Sequence, residues 1–293
     1  MNLAFVSKIR SQFTDLQIYS FMNPSTNRID SAFARLKSEG RSAMIAYITG
    51  GDPTLEASIE IAIAMESAGV DLLELGIPFS DPLADGATIQ AAAARAIEAG
   101  ATVAGILELI RAIRRRSQIP IVLFAYLNPV YIYGFDQFQQ DAVDAGADGL
   151  LLLDLPPQEA ARNAELMTAH GLKPIRLIAP TTPPERLKEI TDAAEGFIYY
   201  VSREGVTGEQ STLSTDIEAR VNAIRGLTQV PVAVGFGISN PEQAATVAKL
   251  ADGVVVGSAI VRKIGEIGNT PDLPAKIADF VRPIASAVHG TER

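Results

Sequence analysis

One repeated unit runs through nearly the whole sequence: a short apolar run followed by a stretch with helical spacing. The apolar runs have four to eight residues, are rich in Val, Ile and Leu, and begin near Ser42, Val70, Ile119, Asp148, Pro174, Gly196, Val230 and Asp252. They do not alternate cleanly between polar and apolar residues, which is typical of strands buried on both faces of a parallel sheet. The helical stretches include residues 55–67, 87–99, 157–170 and 241–250. Eight strand–helix units in about 250 residues predict an α/β fold, a (β/α)8 TIM barrel.

The connections between units favour a barrel over an open sheet. Three strand entries nearly repeat one another, namely Ala68-Gly-Val-Asp71, Ala145-Gly-Ala-Asp148 and Ala251-Asp-Gly253. The glycine of each entry is expected to end the preceding helix, with the strand following at once. The competing fold is a doubly wound open sheet, but no G-x-G-x-x-G motif follows the first strand. The chain is therefore expected to form a single barrel domain over residues 26–293.

Residues 1–25 do not fit the repeated unit. Their apolar residues are loosely amphipathic, and they lack the continuous apolar core of a secretory signal. We expect a flexible N-terminal extension, with an organelle-targeting peptide as the alternative. The sequence contains no run of about 18 apolar residues that could span a membrane, and a cytoplasmic location is expected.

Composition excludes several classes of chemistry. The chain has 25 Lys and Arg against 34 Asp and Glu, a net charge of −9, whereas nucleic-acid binding needs clustered cations. It has no Cys, which excludes disulfides, a thiolate nucleophile and any Cys-based metal site. His170 and His289 are the only histidines, so neither a His-rich metal site nor a His-centred triad is expected. An enzyme with this composition would have to rely on carboxylates.

Two carboxylates mark the candidate active site. Glu74 ends the apolar run that begins near Val70, and Asp85 follows eleven positions later in a loop stiffened by Pro78 and Pro82. Catalytic groups of a barrel lie at the C-terminal ends of its strands, where Glu74 is placed. Burial raises the pKa of a carboxyl, so one acid can hold a proton near neutral pH while the other stays ionised. The plainer alternative is that the Glu pairs with a distant Arg and the Asp caps a helix.

Period-two alternation along the second strand indicates where Glu74 points. It places Glu74 on the same face as Leu72, with Leu73 and Leu75 on the opposite face. Leu73 and Leu75 suit packing against helices, so Glu74 is expected to point into the barrel mouth. A carboxylate buried there without a function would be costly, which favours a catalytic role.

Glycine-rich turns follow three later strands. They are Arg203-Glu-Gly-Val-Thr-Gly208, Gly235-Phe-Gly-Ile-Ser239 and Gly257-Ser-Ala259. Glycine lets backbone N–H groups approach an anion closely, and a helix beginning after Ser258 would aim its N-terminus at the same point. The sequence therefore predicts a phosphate site, without a metal, that consists of Gly208, Gly235, Gly237, Gly257 and Ser258.

Four segments carry a family resemblance. Residues 74–90 (ELGIPFSDPLADGATIQ), 47–53 (YITGGDP), 202–208 (SREGVTG) and 235–239 (GFGIS) resemble the tryptophan synthase alpha subunit family. The similarity runs in order from about Ile29 to near the C-terminus. It implies a lyase that cleaves indole-3-glycerol phosphate to indole and glyceraldehyde 3-phosphate in a retro-aldol reaction. It also implies that residues 29–40 form a short helix that closes the barrel floor.

The implied reaction assigns a role to each candidate residue. It needs a proton on indole C3 and loss of the proton from the side-chain hydroxyl that becomes the aldehyde. Glu74 is the expected proton shuttle for both, and Asp85 is expected to accept a hydrogen bond from the indole N–H. By resemblance, the indole pocket would be walled by Tyr47, Phe124, Tyr126, Leu152 and Phe236, with Tyr199 beside the glycerol chain and Thr207 pairing with Asp85. The plainer alternative for the aromatic residues is core packing.

The resemblance also implies a partner. This would be a beta subunit that carries pyridoxal phosphate, in an alpha2beta2 heterotetramer, while this chain carries no cofactor itself. The predicted strand ends offer no Lys for a Schiff base. The expected docking surface is the barrel mouth, with stiff edges at Ser80-Asp-Pro-Leu83 and Asn128-Pro129. Three alternatives stay open: another phosphate-binding barrel enzyme, a stand-alone indole-releasing lyase, and a regulatory subunit without catalysis.

Overall fold

A computed structural model of the chain describes residues 27–155, 157–201, 210–235 and 237–291, in which strands and helices alternate. The strands are β1 (Ala43–Thr49), β2 (Leu72–Gly76), β3 (Ile121–Ala125), β4 (Gly149–Leu152), β5 (Lys173–Pro174), β6 (Arg176–Ile178), β7 (Ile198–Val201), β8 (Val232–Gly235) and β9 (Gly253–Val256). The helices are α1 (Arg28–Ser38), α2 (Leu55–Ser67), α3 (Ala87–Glu98), α4 (Val103–Arg114), α5 (Leu127–Tyr133), α6 (Phe135–Ala145), α7 (Pro157–His170), α8 (Pro184–Asp192), α9 (Gln210–Arg225), α10 (Pro241–Ala248), α11 (Ser258–Ile267) and α12 (Leu273–His289). The extension predicted over residues 1–25 lies outside the described residues.

The strands form one parallel sheet that closes on itself. Their order is β5-β4-β3-β2-β1-β9-β8-β7-β6. β5 and β6 are separated only by Ile175, whose N–H donates to the carbonyl oxygen of Leu150 at 3.1 Å. The two ends of the sheet are therefore two halves of one strand, which confirms the (β/α)8 barrel. One correction concerns the run predicted near Pro174: it is split, and Pro174 lacks the N–H that would continue the ladder.

Local capping explains where several helices begin. α2, α4 and α10 follow Thr54, Thr102 and Asn240, whose side-chain oxygens accept the backbone N–H three residues later. The predicted helices were accurate: α2 and α7 have the expected bounds, and α3 and α10 end one and two residues earlier than expected. Across the described residues, no helix combines the length and the apolar character that crossing a membrane requires.

Helix α1 closes the floor of the barrel, as predicted. Its buried residues Ile29, Ala32, Phe33 and Leu36 recur with helical spacing and form one face. They share a cluster with the inward-facing strand residues Ala43, Ile45, Leu72, Val122, Leu151, Ile175, Phe197, Ala233 and Val255. The floor end of the barrel interior is thus filled with apolar side chains of the described residues.

Three aspartates hold the strands in register at the floor. Each precedes a strand and accepts a backbone N–H from the neighbouring strand at 2.8–2.9 Å, in the pairs Asp71 with Met44, Asp148 with Ile121 and Asp252 with Val232. Each carboxylate also accepts a hydrogen bond from an arginine, respectively Arg35, Arg114 and Arg225. The repeated strand entries therefore stabilise the floor. In barrels the N-terminal face usually serves stability, and the C-terminal face carries the active site.

The glycines of these entries do not all act alike. Gly69 and Gly146 have φ of 104° and 101° and follow the ends of α2 and α6, as predicted. The prediction was wrong for Gly253, which is the first residue of β9. A Cβ at Gly253 would lie 3.1 Å from side-chain atoms of Ala233 and Ile45, so this glycine makes room inside the barrel.

Candidate active site

A cavity of about 340 Å³ opens at the C-terminal ends of the strands. This volume lies in the range of small-molecule sites. The described residues that line it are Tyr47, Glu74, Ala84, Asp85, Gly86, Ile89, Phe124, Leu153, Leu177, Ala179, Tyr199, Val201, Gly235, Gly237, Val255, Gly257 and Ser258. Lys, Arg and His are absent from this described lining. The cavity therefore combines two carboxylates with an apolar wall and a group of small residues.

Glu74 points into this cavity from β2. The predicted alternation is confirmed, because Leu72 belongs to the inner cluster whereas Leu73 and Leu75 belong to the cluster outside the barrel. The Glu74 side chain is 1% exposed, and burial raises its pKa to about 8. Its Oε1 atom has no hydrogen-bond partner among the described residues. The alternative of an Arg-paired Glu74 finds no support, because burial is the one cause of its raised pKa.

Asp85 lies in the loop that covers β2 and is held from two sides. The Tyr126 hydroxyl donates to Asp85 Oδ2 at 3.1 Å, and the Gln90 side-chain amide donates to the Asp85 carbonyl oxygen at 2.9 Å. Burial raises the pKa of Asp85, and the hydrogen bond from Tyr126 opposes that rise. The alternative that Asp85 caps a helix is wrong, because Gly86 is the N-cap of α3 and makes no side-chain cap.

Aromatic side chains form part of the cavity wall. Tyr47 pairs with Glu74 across β1 and β2, and its ring meets that of Phe124 edge to face at a centroid distance of 5.2 Å. Tyr199 lines the cavity from β7. Burial raises the pKa of Tyr47 and of Tyr199, so both hydroxyls stay protonated. Tyr126, also predicted as a wall residue, contacts Asp85 and accepts from the Ala84 N–H at 3.0 Å.

One predicted wall residue faces the other way. Leu152 packs in the cluster outside the barrel, and Leu153 takes the inward position instead. The prediction failed because residues 150–153 are four consecutive leucines. Such a run has no alternation that would show which residues face the inside of the barrel. Sequence reasoning also missed Ile89 and Leu177, which line the cavity from α3 and β6. The only sequence signal for Leu177 would have been the alternation of inward-facing and outward-facing residues along β6.

The predicted phosphate residues Gly235, Gly237, Gly257 and Ser258 line the cavity where β8 and β9 end. α11 begins at Ser258 behind Gly257, which provides no side-chain cap. Its first intrahelical hydrogen bond runs from the Val261 N–H to the Gly257 carbonyl oxygen at 3.0 Å. The N–H groups of the first turn therefore have no acceptor within the helix and can bind an anion.

Three predicted site residues cannot be placed. Thr207, Gly208 and Phe236 lie outside the described residues. The described part of the chain contains no cluster of three or more His, Cys, Asp or Glu that could hold a metal ion.

Comparison with known proteins gives a consistent result. The family model described as "Tryptophan synthase alpha chain" matches residues 33–288. The chain belongs to this family.

Relatives in sequence agree with the family model. The tryptophan synthase alpha chain of Opitutus terrae is 50% identical over 268 residues, covering 91% of this chain and 100% of the relative. The alpha chain of Geobacter sulfurreducens is 47% identical over 262 residues, covering 89% and 99%.

Solved structures agree as well. A crystal structure of the tryptophan synthase alpha subunit from Legionella pneumophila superposes with a TM-score of 0.83 at 38% identity, covering 90% of this chain and 99% of that one. Tryptophan synthase from M. tuberculosis in an open form matches with a TM-score of 0.80 at 33% identity, covering 90% and 99%.

Membership settles the class of reaction. The alpha chain of tryptophan synthase is a carbon–carbon lyase that cleaves indole-3-glycerol phosphate to indole and glyceraldehyde 3-phosphate, and this chain has that activity. The alternative of another phosphate-binding barrel enzyme is therefore wrong. An alpha chain also implies a beta subunit as its partner.

Proposed function

We propose that Glu74 and Asp85 carry out the cleavage in the cavity at the barrel mouth. The observation that carries the proposal is the contrast between them: Glu74 is buried, with a pKa of about 8, whereas Asp85 is half-buried and held by Tyr126. Near neutral pH, Glu74 is protonated and can act as an acid. Environments that push two carboxyl pKa values apart are the usual sign of an acid–base pair.

Glu74 serves as the proton shuttle. It gives its proton to indole C3, which makes that carbon tetrahedral and leaves positive charge on the ring. The Glu74 carboxylate that remains is buried and without a partner at Oε1 among the described residues, so it is a strong base. It then takes the proton of the side-chain hydroxyl. As that O–H bond breaks, the C–C bond cleaves, its electron pair returns to the indole ring, and the aldehyde forms.

Asp85 stabilises the charge that this step creates. Its carboxylate accepts a hydrogen bond from the indole N–H, which becomes acidic once C3 is protonated. Tyr126 fixes the carboxylate from one side and remains protonated, because burial raises its pKa to about 12. The indole ring lies against the apolar wall of Phe124, Ile89 and Leu153.

The phosphate group lies where β8 and β9 end. Gly235, Gly237, Gly257 and Ser258 line the cavity there, and α11 begins at Ser258. Because the described lining contains no cation, backbone N–H groups and the helix dipole supply the attraction for the dianion.

The Glu74→Gln variant tests the proposal. The amide keeps the shape but cannot transfer a proton, so we expect substrate affinity to stay and indole release to fall by about 10²–10⁴-fold. Glu98→Gln, at the exposed end of α3, is the matched control and should leave the rate unchanged. A Glu74→Gln chain that keeps more than about a tenth of the wild-type turnover would remove Glu74 from this role.

We also propose that the partner beta subunit carries pyridoxal phosphate, that the assembly is an alpha2beta2 heterotetramer, and that it is cytoplasmic. The barrel mouth supports the docking part of this proposal. Leu83 in the loop after β2, and Tyr131 and Ile132 in α5 after β3, are 92%, 74% and 77% exposed. Exposed apolar residues beside an active site are typical of a surface that a partner covers.

Mixing experiments test the partner. Adding a beta subunit should raise the rate of indole formation and give co-elution in sizing, with the visible absorption of pyridoxal phosphate found only with the beta subunit. Leu83→Ser should weaken both effects, whereas Leu227→Ser, at an exposed leucine beyond α9, is the matched control. A chain that elutes alone and releases indole at an unchanged rate would favour the stand-alone lyase.

A further inference from the structure

We propose that the Asp52–Arg95 ion pair is a positioning device that sets the distance between Asp85, the acid end of the active-site cavity, and the N-terminus of α11, its phosphate end. This inference rests on the proposed roles of Asp85 and of the N-terminus of α11. Asp52 lies in the loop after β1 and is 1% exposed. Arg95 is on α3, and its guanidinium donates to both carboxylate oxygens of Asp52, from Nε to Oδ1 at 2.9 Å and from Nη2 to Oδ2 at 2.8 Å.

The first link runs from Arg95 to the acid end of the cavity. α3 begins two residues after Asp85, and its residue Gln90 donates to the Asp85 carbonyl oxygen at 2.9 Å. Ile89, one residue earlier, lines the cavity itself. A shift of α3 therefore moves Asp85 and part of the apolar wall together.

The second link runs from Arg95 to the phosphate end. α3 packs against α11, and a Cβ at Gly265 of α11 would lie 3.1 Å from Nη2 of Arg95. Ile89 and Ala92 of α3 share a small buried cluster with Val261 of α11 and with Tyr47. The same guanidinium thus contacts the helix whose first turn faces the phosphate site.

The third link runs from Asp52 back to the barrel. The Asp52 N–H donates to the Thr49 carbonyl oxygen at 3.2 Å, and Gly51 N–H donates to Ser58 Oγ at 3.0 Å, so the loop is tied to β1 and α2. Through Asp52, Arg95 therefore holds α3 and α11 in a fixed position relative to the rigid sheet. A planar fork that binds two oxygens at once fixes orientation as well as distance, which an ammonium group cannot do.

The test compares two aspartate–arginine pairs at opposite ends of the barrel, in each of which the aspartate is buried. Arg95→Lys keeps the charge at the mouth but loses the fork, and Arg114→Lys does the same to the Asp148 pair at the floor. We expect both variants to have a lower melting temperature. Only Arg95→Lys should lower kcat/KM by about tenfold or more and weaken the binding of inorganic phosphate, because small displacements of catalytic groups cost that much.

A second variant avoids the loss of stability. Gly265→Ala presses on Arg95 while raising helix propensity, so it should lower kcat/KM without lowering the melting temperature. The inference is overturned if Arg95→Lys and Arg114→Lys change kcat/KM and phosphate affinity equally, or if Gly265→Ala behaves as wild type. Because Glu74→Gln is measured alongside, failure of the positioning role is distinguished from failure of the proposed chemistry.

Discussion

The ring of Tyr47 occupies the space into which a side chain at Gly76 would project. A Cβ on Gly76 would overlap the Tyr47 hydroxyl oxygen and would lie 2.8 Å from ring carbon Cζ. Tyr199 and Gly235 repeat this arrangement on β7 and β8, where a Cβ on Gly235 would lie 2.5 Å from ring carbon Cε2 of Tyr199. Each tyrosine of the cavity wall thus depends on a glycine that ends the neighbouring strand.

The first prediction concerns this packing. Gly76→Ala should displace the Tyr47 ring, which is also held by Phe124, and should destabilise the fold by about 1–3 kcal/mol through overpacking. Activity should fall as well, because Tyr47 and Glu74 are register partners. Urea unfolding and initial rates of indole release would measure both effects. Tyr47→Leu in the same chain should restore part of the loss.

The control for this prediction is Gly226→Ala. A Cβ there would meet its nearest atom, the Ala223 carbonyl oxygen, at 3.4 Å, which is ordinary contact. Strictly additive effects of Gly76→Ala and Tyr47→Leu would contradict the steric link between the two residues.

The second prediction concerns pH. Glu74 must be protonated to protonate the indole carbon, so kcat/KM should fall above about pH 8, as the carboxyl with a pKa of about 8 ionises. Stability should change in the same direction. The Glu74 carboxyl of the folded chain keeps its proton up to a pKa of about 8, whereas that of the unfolded chain releases it above the ordinary pKa of 4.5. The contribution of Glu74 to the free energy of unfolding is therefore complete below pH 4.5 and is lost as pH rises through 8.

Glu74→Gln should abolish this stability change. The free energy of unfolding, measured in urea from pH 5 to pH 9, should fall for the wild type relative to the variant, by about 1.4 kcal/mol for each pKa unit by which burial shifts the carboxyl. Parallel curves for the two chains would show that Glu74 does not titrate in this range.

The third prediction concerns Tyr126. Burial raises the pKa of Asp85, and the hydrogen bond from the Tyr126 hydroxyl opposes that rise, so Tyr126→Phe should raise this pKa further. Asp85 acts in its ionised form. The acid limb of the kcat/KM profile should therefore move to higher pH, with a loss of about tenfold to a hundredfold at neutral pH, which is typical of a hydrogen bond to a charged group. An acid limb that stays in place in the variant would show that Tyr126 does not tune Asp85.

The fourth prediction concerns Gly237, which lies at the predicted phosphate site, where a side chain is expected to intrude on the anion. A Cβ at Gly237 meets no described atom within 4 Å, but its φ is +66°, so a substitution is limited by backbone strain rather than by collision with the protein. Gly237→Ala should weaken binding of glycerol 3-phosphate by about tenfold, since the free variant can relax out of the left-handed conformation and must return to it, at a cost of about 1–2 kcal/mol, when the anion binds. Calorimetric affinity equal to that of wild type would place the anion elsewhere.

The sequence alone was sufficient for features with a local physical cause. Buried parallel strands give unbroken apolar runs, helices give a period of 3.6, and both appear within a few neighbouring residues. The barrel and the inward direction of Glu74 follow from such patterns, whereas the floor helix was implied by the family resemblance. The direction of Glu74 was readable because a carboxylate interrupts the leucines of β2 and thereby marks the phase of the strand.

Tertiary structure decided what depends on contacts between distant residues. The four leucines of 150–153 mark no phase, so only the pairing of Leu151 with Phe124 and of Leu152 with Ala125 shows which of them face the cavity. The bond from Tyr126 to Asp85, the Arg95 grip on Asp52, and the dependence of Tyr47 on Gly76 join residues that are 41, 43 and 29 positions apart. Such pairs leave no periodic trace in a single sequence, because their geometry exists only once the strands have closed into a barrel.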